Sequence, residues 1–289
     1  MTVFNLGSIN IDNVYRVPHL PSPGETLAAT GYERGLGGKG ANMSVAAARA
    51  GARTIHIGAV GADGGWACEQ MRDAGVDIRH IARLTHTLTG HAIINVDRKG
   101  ENAIVLVPGA NREIPENALV AALAEAKPGD TLLLQNETIL QTRAVEIARD
   151  HGLFTAFAAA PFEIEATNVL LPWLDFLILN EIEAHQLTRS TGKTLAELDV
   201  DHVIVTLGAK SARWFHGGQV QEFPALPVTP VDTTGAGDTF TGYVLAARDQ
   251  GLPMGKAIDL AGRAAALAVT RHGAVNAIPA LKEVREAQF

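Results

Sequence analysis

Short apolar runs rich in Val, Ile and Leu recur along the chain: VFNLGSI (3–9), TIHIGAV (54–60), TLLLQNE (131–137), LFTAFAA (153–159), FLILN (176–180) and HVIVTLG (202–208). Near-continuous apolar strands of this kind belong to a parallel sheet buried on both faces. Between or after them, helical spacing is predicted over 41–50, 116–126, 140–151, 181–189, 238–250 and 256–270. The alternation reads as an α/β core in which helices cover both sides of a mostly parallel sheet.

Two regions break the rhythm. Residues 11–36 carry Pro18, Pro21, Pro23 and Gly24 and then the β-like TLAATGYERG, while TGHAIINVDRKGENAIVLV (89–107) reads as two strands joined by a polar turn. Neither has a helical partner. We read them as one small sheet built from two distant segments on the edge of the core, a lid over a site at the carboxyl ends of the parallel strands.

Composition narrows the classes. The 289 residues are 47% hydrophobic and 19% charged, enough to bury a large core in one domain spanning 1–289, and no repeat, low-complexity tract or linker divides them. Lys and Arg number 24 against 31 Asp and Glu, a net charge of −7, so no general basic field exists to hold nucleic acid or an anionic membrane. Any phosphate must be held locally. The single cysteine, Cys68, excludes an internal disulfide, fits a reducing compartment and reads as a buried small apolar side chain. MTVFNLGSIN lacks the pattern of a signal peptide, and no apolar run approaches the about 20 residues that span a bilayer, so a cytoplasmic location is expected.

Chemistry enters with VDTTGAGDTF (231–240), which opens a helical run. Peptide N–H groups freed by Gly235, Ala236 and Gly237 at a helix start form an anion trap. An acid in the same place, Asp238, points to chemistry on the anion rather than storage. A second cluster, GLGGKGAN (35–42), satisfies G-x-G-x-x-G through Gly35, Gly37 and Gly40, and Asp63 follows at about the distance of a dinucleotide fold's ribose-binding acid. An NAD-dependent oxidoreductase is therefore a rival. That fingerprint, however, belongs in the first βα turn, and here turn-rich and β-like sequence separates it from the first strand. The phosphate-loop pattern fails outright, because Glu33 stands where its first glycine belongs and Lys39 precedes Gly40 rather than Ser or Thr. The alternative makes the two glycine loops opposite walls of one site, with Lys39 and Asn42 as polar tips on one wall and Asp238 on the other. GSINID sets Asn10 and Asp12 at the end of the first strand, where the carboxylate can accept two sugar hydroxyls and the amides of Asn10 and Asn42 can donate and accept. The same Asn-x-Asp also fits a plain turn former.

GSINID, GGKGAN (37–42), GENAI, PGAN (108–111), LLLQNE (132–137), NEIEA (180–184), VTLG (205–208), DTTGAGDTF (232–240) and AVTRHGA (268–274) together resemble, almost end to end, the ribokinase family of carbohydrate and nucleoside kinases. The resemblance implies a ribokinase-like three-layer sandwich with a mostly parallel central sheet and a small β-sheet lid. It implies transfer of the γ-phosphoryl group of MgATP to the 5-hydroxyl of D-ribose, with 2-deoxyribose, a ketohexose such as fructose, or a nucleoside as alternative acceptors. By this resemblance Asp238 is the catalytic base, and Gly235, Ala236 and Gly237 form the anion hole. The sugar falls to Asn10, Asp12, Gly38, Lys39, Asn42 and Glu137. Asn180, Thr206 and Gly208 line the nucleotide, and Glu183 organises Mg²⁺ through water. Taken alone, Asn180 and Glu183 also fit a helix cap and a solvated first-turn acid. Asp232 and Thr234, with carbonyls near Ala268, Arg271 and Gly273, resemble the family's activating K⁺ loop, and the exposed edge of the lid sheet suits a homodimer.

Four departures bear on these expectations. Ala277 stands where a hydroxyl residue often helps the K⁺ loop, and AAAP (158–161) replaces NPAP. Gly262 and Arg263 fall where an Asn often meets adenine, and His91 and Asn95 replace more apolar lid residues.

Overall fold

In the computed structural model, which describes residues 1–289, the chain opens with β1 (Thr2–Leu6), crosses at once into β2 (Asn10–Arg16) and β3 (Gly31–Gly37), and enters α1 (Lys39–Arg49). β4 (Arg53–Gly61), α2 (Gly65–Asp73) and β5 (Val76–Leu84) follow, then β6 (Gly90–Val96) and β7 (Asn102–Val107). After α3 (Glu116–Leu123) come β8 (Thr131–Gln135), α4 (Gln141–His151), β9 (Phe154–Ala158), α5 (Ile164–Leu170), β10 (Phe176–Asn180), α6 (Glu181–Thr191) and β11 (His202–Thr206). β12 (Ser211–His216) and β13 (Gln219–Pro224) precede α7 (Ala236–Asp249), α8 (Met254–Ala268) and α9 (Leu281–Glu286).

The large sheet has nine strands in the order β13-β12-β11-β10-β9-β8-β1-β4-β5. Every pair from β11 to β5 is parallel, and only the β11–β12 and β12–β13 pairs are antiparallel. Alternating side chains feed two separate cores: Val3 and Leu133 pack with Met43, Tyr243 and Leu245 on one face, while Phe4, Leu6, Leu132 and Leu134 pack with Leu119, Ala144 and Leu187 on the other. Because both faces are covered, both sets of positions must be apolar, which is why the strands lack a polar alternation.

The small sheet has four strands in the order β3-β2-β6-β7 and draws on both of the helix-free segments, as their pattern predicts. One expectation needs correcting. GSINID does not end the first strand: β1 stops at Leu6, and Asn10 and Asp12 open β2, the first strand of the small sheet. The sequence pattern also left several elements unpredicted. α2 buries only Ala67, Cys68 and Met71 among its nine residues, and edge strand β5 carries Asp77, Arg79, His80 and Arg83 within its apolar run. The β12–β13 hairpin turns on Gly217 and Gly218, both at positive φ (52° and 73°), a two-residue turn signal that the sequence does contain. No helix is long and apolar enough to cross a membrane.

The close approach of α1 to α7 matters most for the site. A Cβ added at Gly242 would lie 2.5 Å from Ala46 Cβ and 2.7 Å from the carbonyl oxygen of Met43, so only glycine permits this spacing. One residue further, the Tyr243 hydroxyl donates to Pro279 O at 2.7 Å and ties α7 to the C-terminal segment. We predict that Gly242→Val destabilises the fold by about 1–3 kcal/mol, the usual cost of overpacking. A chemical-denaturation midpoint equal to that of the wild type would show that the two helices can separate freely.

Candidate active site

The N-termini of α1 and α7 lie side by side, so the two glycine loops meet in one place. Gly235 caps α7 in the left-handed region (φ 72°), and Asp238 falls in the first turn with 8% of its surface exposed. The N–H groups of Gly235, Gly237 and Asp238 have no backbone acceptor, whereas that of Ala236 makes a long 3.3 Å bond to Thr233 O. The free donors at this helix start therefore include Asp238 itself, which the motif reading did not count.

Asn42 Nδ2 donates to Asp238 Oδ2 at 2.7 Å, joining α1 to α7. The other end of the amide, Asn42 Oδ1, is buried without a partner in the protein and is available to a donor that a substrate brings. Burial pushes the Asp238 carboxyl above the usual carboxylate range, opposed in part by the charge of Lys39 and the bond from Asn42. In return the charge of Asp238 raises Lys39. A buried carboxylate that holds its proton more readily is suited to accept one at neutral pH.

A cavity of about 160 Å³ gathers Lys39, Asn180, Glu183, Thr206, Gly235, Ala236, Gly237 and Asp238 around one space. It shares Thr206, Thr233, Ala236 and Gly237 with a second, largely apolar cavity of about 720 Å³ that also takes in Gly208. Sequence reasoning did not single out the wall of this larger space, Phe223, Leu226 and Val228 against Ile258 and Ala265 of α8. Its only signal was the proline-rich FPALPVTP (223–230) that ends β13 and runs on beyond it. Gly262 and Arg263 lie on the same wall, but the Arg263 guanidinium is committed to Val284 O and Ala287 O at 3.2 and 2.7 Å. Ala158 and Ala160 of AAAP line the smaller cavity.

Asn10, Asp12, Gly38, Asn42 and Glu137 stand outside the lining of both cavities, at the root of the small sheet. Gly38 needs its positive φ of 91°, and a Cβ there would lie 2.8 Å from Asn10 N. A Cβ at Gly37 would overlap the Asp12 carboxylate. The backbone N–H of Lys39 donates to Glu137 Oε2 at 3.1 Å, and Ser8 Oγ donates to the same oxygen. Burial, reinforced by the negative charge of Glu137, pushes the Asp12 carboxyl up to about 6.

Asn180 and Glu183 form a capping box, Glu183 N donating to Asn180 Oδ1 at 2.9 Å and Asn180 N to Glu183 Oε2 at 2.8 Å. The cap reading is thus correct, and the same two side chains also face the cavity. Asp232 accepts from Thr234 N and from Gly273 N, each at 2.9 Å, which brings the 232–234 loop against the segment after α8. Ala268 O accepts from Arg271 N at 3.0 Å within that segment. Ala277 is 2% exposed and offers only its backbone. His91 is turned to Thr89 O at 3.1 Å.

Asp63, the acid on which the dinucleotide reading depended, accepts from the backbone and hydroxyl of Thr89 at 2.9 and 2.7 Å and pins the loop before β6. GLGGKGAN joins the end of β3, a strand of the small sheet, to α1, rather than following the first strand of a βα unit. The geometry gives the oxidoreductase reading no support.

With this arrangement in view, comparison with known proteins is specific. A family model described as pfkB family carbohydrate kinase matches residues 2–281. The chain belongs to the pfkB family of carbohydrate kinases. A ribokinase of Haemophilus influenzae is 36% identical over 299 residues, covering 99% of this chain and 97% of that one. A deoxyribokinase of Salmonella typhi is 30% identical over 304 residues, covering 99% and 98%. A structure of an Arabidopsis thaliana ribokinase complexed with ribose and ATP superposes with a TM-score of 0.87 at 28% identity, covering 98% and 97%.

An Asp12 that holds sugar hydroxyls would make acceptor binding sensitive to pH. The ionised carboxylate accepts hydroxyls on both oxygens, whereas the proton it takes up in the free protein as pH falls through about 6 turns one oxygen into a donor. We predict that the dissociation constant for sugar rises as pH falls from 7 to 5, approaching tenfold per unit at the acid end, and that Asp12→Asn flattens this dependence. A titration by calorimetry that finds equal slopes in the two proteins removes Asp12 from the sugar site.

Proposed function

We propose that this protein is an ATP-dependent ribokinase that transfers the γ-phosphoryl group of ATP to the 5-hydroxyl of D-ribose. The observation that carries the proposal is the buried Asp238 carboxylate, held by Asn42 at the free N–H groups of α7, in a cavity that opens on a larger apolar slot. The slot suits a nucleobase, the shared wall at Thr206 and Gly237 suits phosphates, and Asn10, Asp12, Asn42 and Glu137 offer donors and acceptors for sugar hydroxyls.

Phosphoryl transfer asks a protein mainly for alignment and for compensation of charge. In this reading Asp238 accepts the proton of the attacking hydroxyl, the N–H groups of Gly235, Ala236 and Gly237 face the charge that develops on the transferred group, and Lys39 supplies the cation beside them. No three His, Cys, Asp or Glu side chains cluster tightly enough to cage a metal ion, which fits a Mg²⁺ that arrives with phosphate and water ligands and meets Glu183 through water. When bound, Mg²⁺ neutralises phosphate charge. The oxygen-rich loop at Asp232 and Thr234 fits a K⁺ ion with carbonyl help from Ala268, Arg271 and Gly273. The exposed β7 side chains Ile104, Val105 and Leu106 support a homodimer through the small sheets.

A second reading keeps the reaction and changes the sugar. It rests on Ala158 and Ala160 at the cavity, where short side chains leave part of the wall without hydrogen-bonding groups.

The direct test follows ADP release in K⁺ buffer with D-ribose, 2-deoxyribose, fructose, adenosine or no acceptor. Ribose is expected to give the highest kcat/KM, and a higher value for another sugar would transfer the specificity to the second reading. Asp238→Asn is expected to cut kcat by roughly 10² to 10⁴ while leaving sugar and ATP affinity nearly intact. Undiminished turnover in that variant would exclude Asp238 as the base. Replacing K⁺ by Na⁺ is expected to lower kcat, and equal rates would show that the Asp232 loop works without the larger ion.

A further inference from the structure

PGAN at 108–111 recurs in the family pattern, yet no step above uses it. The structure explains its last three residue types. Gly109 lies at φ 49° where a Cβ would overlap Leu88 O, Ala110 is fully buried and donates its N–H to Leu88 O at 2.9 Å, and Asn111 is 2% exposed at the root of the small sheet. Its amide pairs with the backbone of Ile9 on both sides: Ile9 N donates to Asn111 Oδ1 at 2.9 Å, and Asn111 Nδ2 donates to Ile9 O at 3.3 Å. The same Nδ2 reaches Asn10 Oδ1 at 2.7 Å. A side chain at Gly90 would fill the place where these two amides meet.

These bonds have only one consistent direction. A backbone N–H can only donate, so Ile9 fixes which end of the Asn111 amide is oxygen, and Asn111 in turn fixes the oxygen of Asn10. The Asn10 Nδ2 is left as the end free to donate. We infer that Asn111 is a positioning residue that sets the hydrogen-bonding polarity of the acceptor site by holding the donor end of the Asn10 amide toward the sugar.

Polarity matters because of Asp12. Residues two apart on a strand share a face, so Asn10 and Asp12 of β2 present their side chains to the same side. A hydroxyl held between them has one proton. It gives that proton to the carboxylate and must then accept from Asn10, which it can do only if Asn10 presents N–H. With the amide reversed, two acceptors would compete for a single proton, and one would be left opposed to an oxygen lone pair.

This inference rests on the proposed sugar kinase activity, and the experiment separates the two. Sugar KM, ATP KM and kcat are measured with D-ribose for the wild type, Asn111→Asp, Asn10→Ala, the double variant and Asn10→Asp. Asn111→Asp keeps the acceptor for Ile9 N but loses both donors, so Asn10 reverses to meet it. Sugar KM is expected to rise roughly 10- to 100-fold with ATP KM nearly unchanged. In the Asn10→Ala background the same substitution is expected to change sugar KM less than about twofold, because the group it orients is gone. Asn10→Asp leaves the bonds of Asn111 to Ile9 in place yet presents an acceptor to the sugar, and is also expected to raise sugar KM. An unchanged sugar KM in Asn10→Asp, or an Asn111→Asp effect that persists in the Asn10→Ala background, overturns the inference, even if Asn111→Asp alone fails to fold. No ribose-dependent turnover in the wild type would instead overturn the proposed activity.

Discussion

The contact between α1 and α7 is the constraint on which the site depends. Two helices can bring their N-termini to one point only if their axes approach closely, and Gly242 against Met43 and Ala46 provides that approach. The 2.7 Å bond from Asn42 to Asp238 is its chemical result. Residues distant in the chain become partners because a backbone, not a side chain, fills the space between the helices. The bond does two things at once: it fixes the carboxylate, and it uses one end of the Asn42 amide so that the other faces inward without a protein partner.

Charge is the second constraint. Burial raises the carboxyls of Asp238 and Glu183 above their ordinary range, and Lys39 is the cation that faces them in the smaller cavity; Asp12, outside that cavity, is raised in the same way. Several carboxylates around one ammonium form a poor site for a bare polyphosphate. They form a better one for a nucleotide that brings its own divalent counterion, since the acids then meet cations rather than phosphate oxygens. The chain's net charge of −7 agrees with this, because the protein draws no anion by its overall field and must rely on local N–H groups at the start of α7.

Much of the layout could be read from the sequence, for identifiable reasons. Strands buried on both faces must be apolar at every position, and β1, β8 and β10 therefore stood out; helix-free stretches with turn residues marked the small sheet. GGKGAN announced itself because close approach at Gly37, Gly38 and Gly40 leaves glycine as the only choice, and DTTGAGDTF because Gly235 takes a left-handed conformation at the helix start. What escaped had weaker signals. β5 mixes charge into its apolar run because an edge strand is half exposed, and α2 buries too few residues to show a helical period. The Asn10–Asp12 pair was placed on the wrong strand because nothing local in GSINID marks the crossing between sheets. That crossing is made by long-range bonds: Asn111 to Ile9 across 102 positions and Ser8 to Glu137 across 129. The larger apolar slot escaped for the same reason, since its walls come from the end of β13, the irregular segment after it and α8, which pack together only in three dimensions.

The start of α7 also depends on a loop that contributes no catalytic side chain. Gly235 occupies a left-handed conformation that an L side chain adopts only at a cost of about 1–2 kcal/mol, and a Cβ added there would lie 3.4 Å from Ala274 Cβ. The residues before it are tied to the segment after α8 by Val231 N and Asp232 N to Val269 O, at 2.7 and 3.1 Å, and by Gly273 N to Asp232 Oδ2. Whatever orders the 269–274 segment therefore also orders the N–H groups that face the site. A cation held by oxygens of this loop would act through that connection, tightening the anion hole without touching the transferred group. The coupling can be read directly from the hydrogen bonds that Val231 and Asp232 make to Val269 and Gly273.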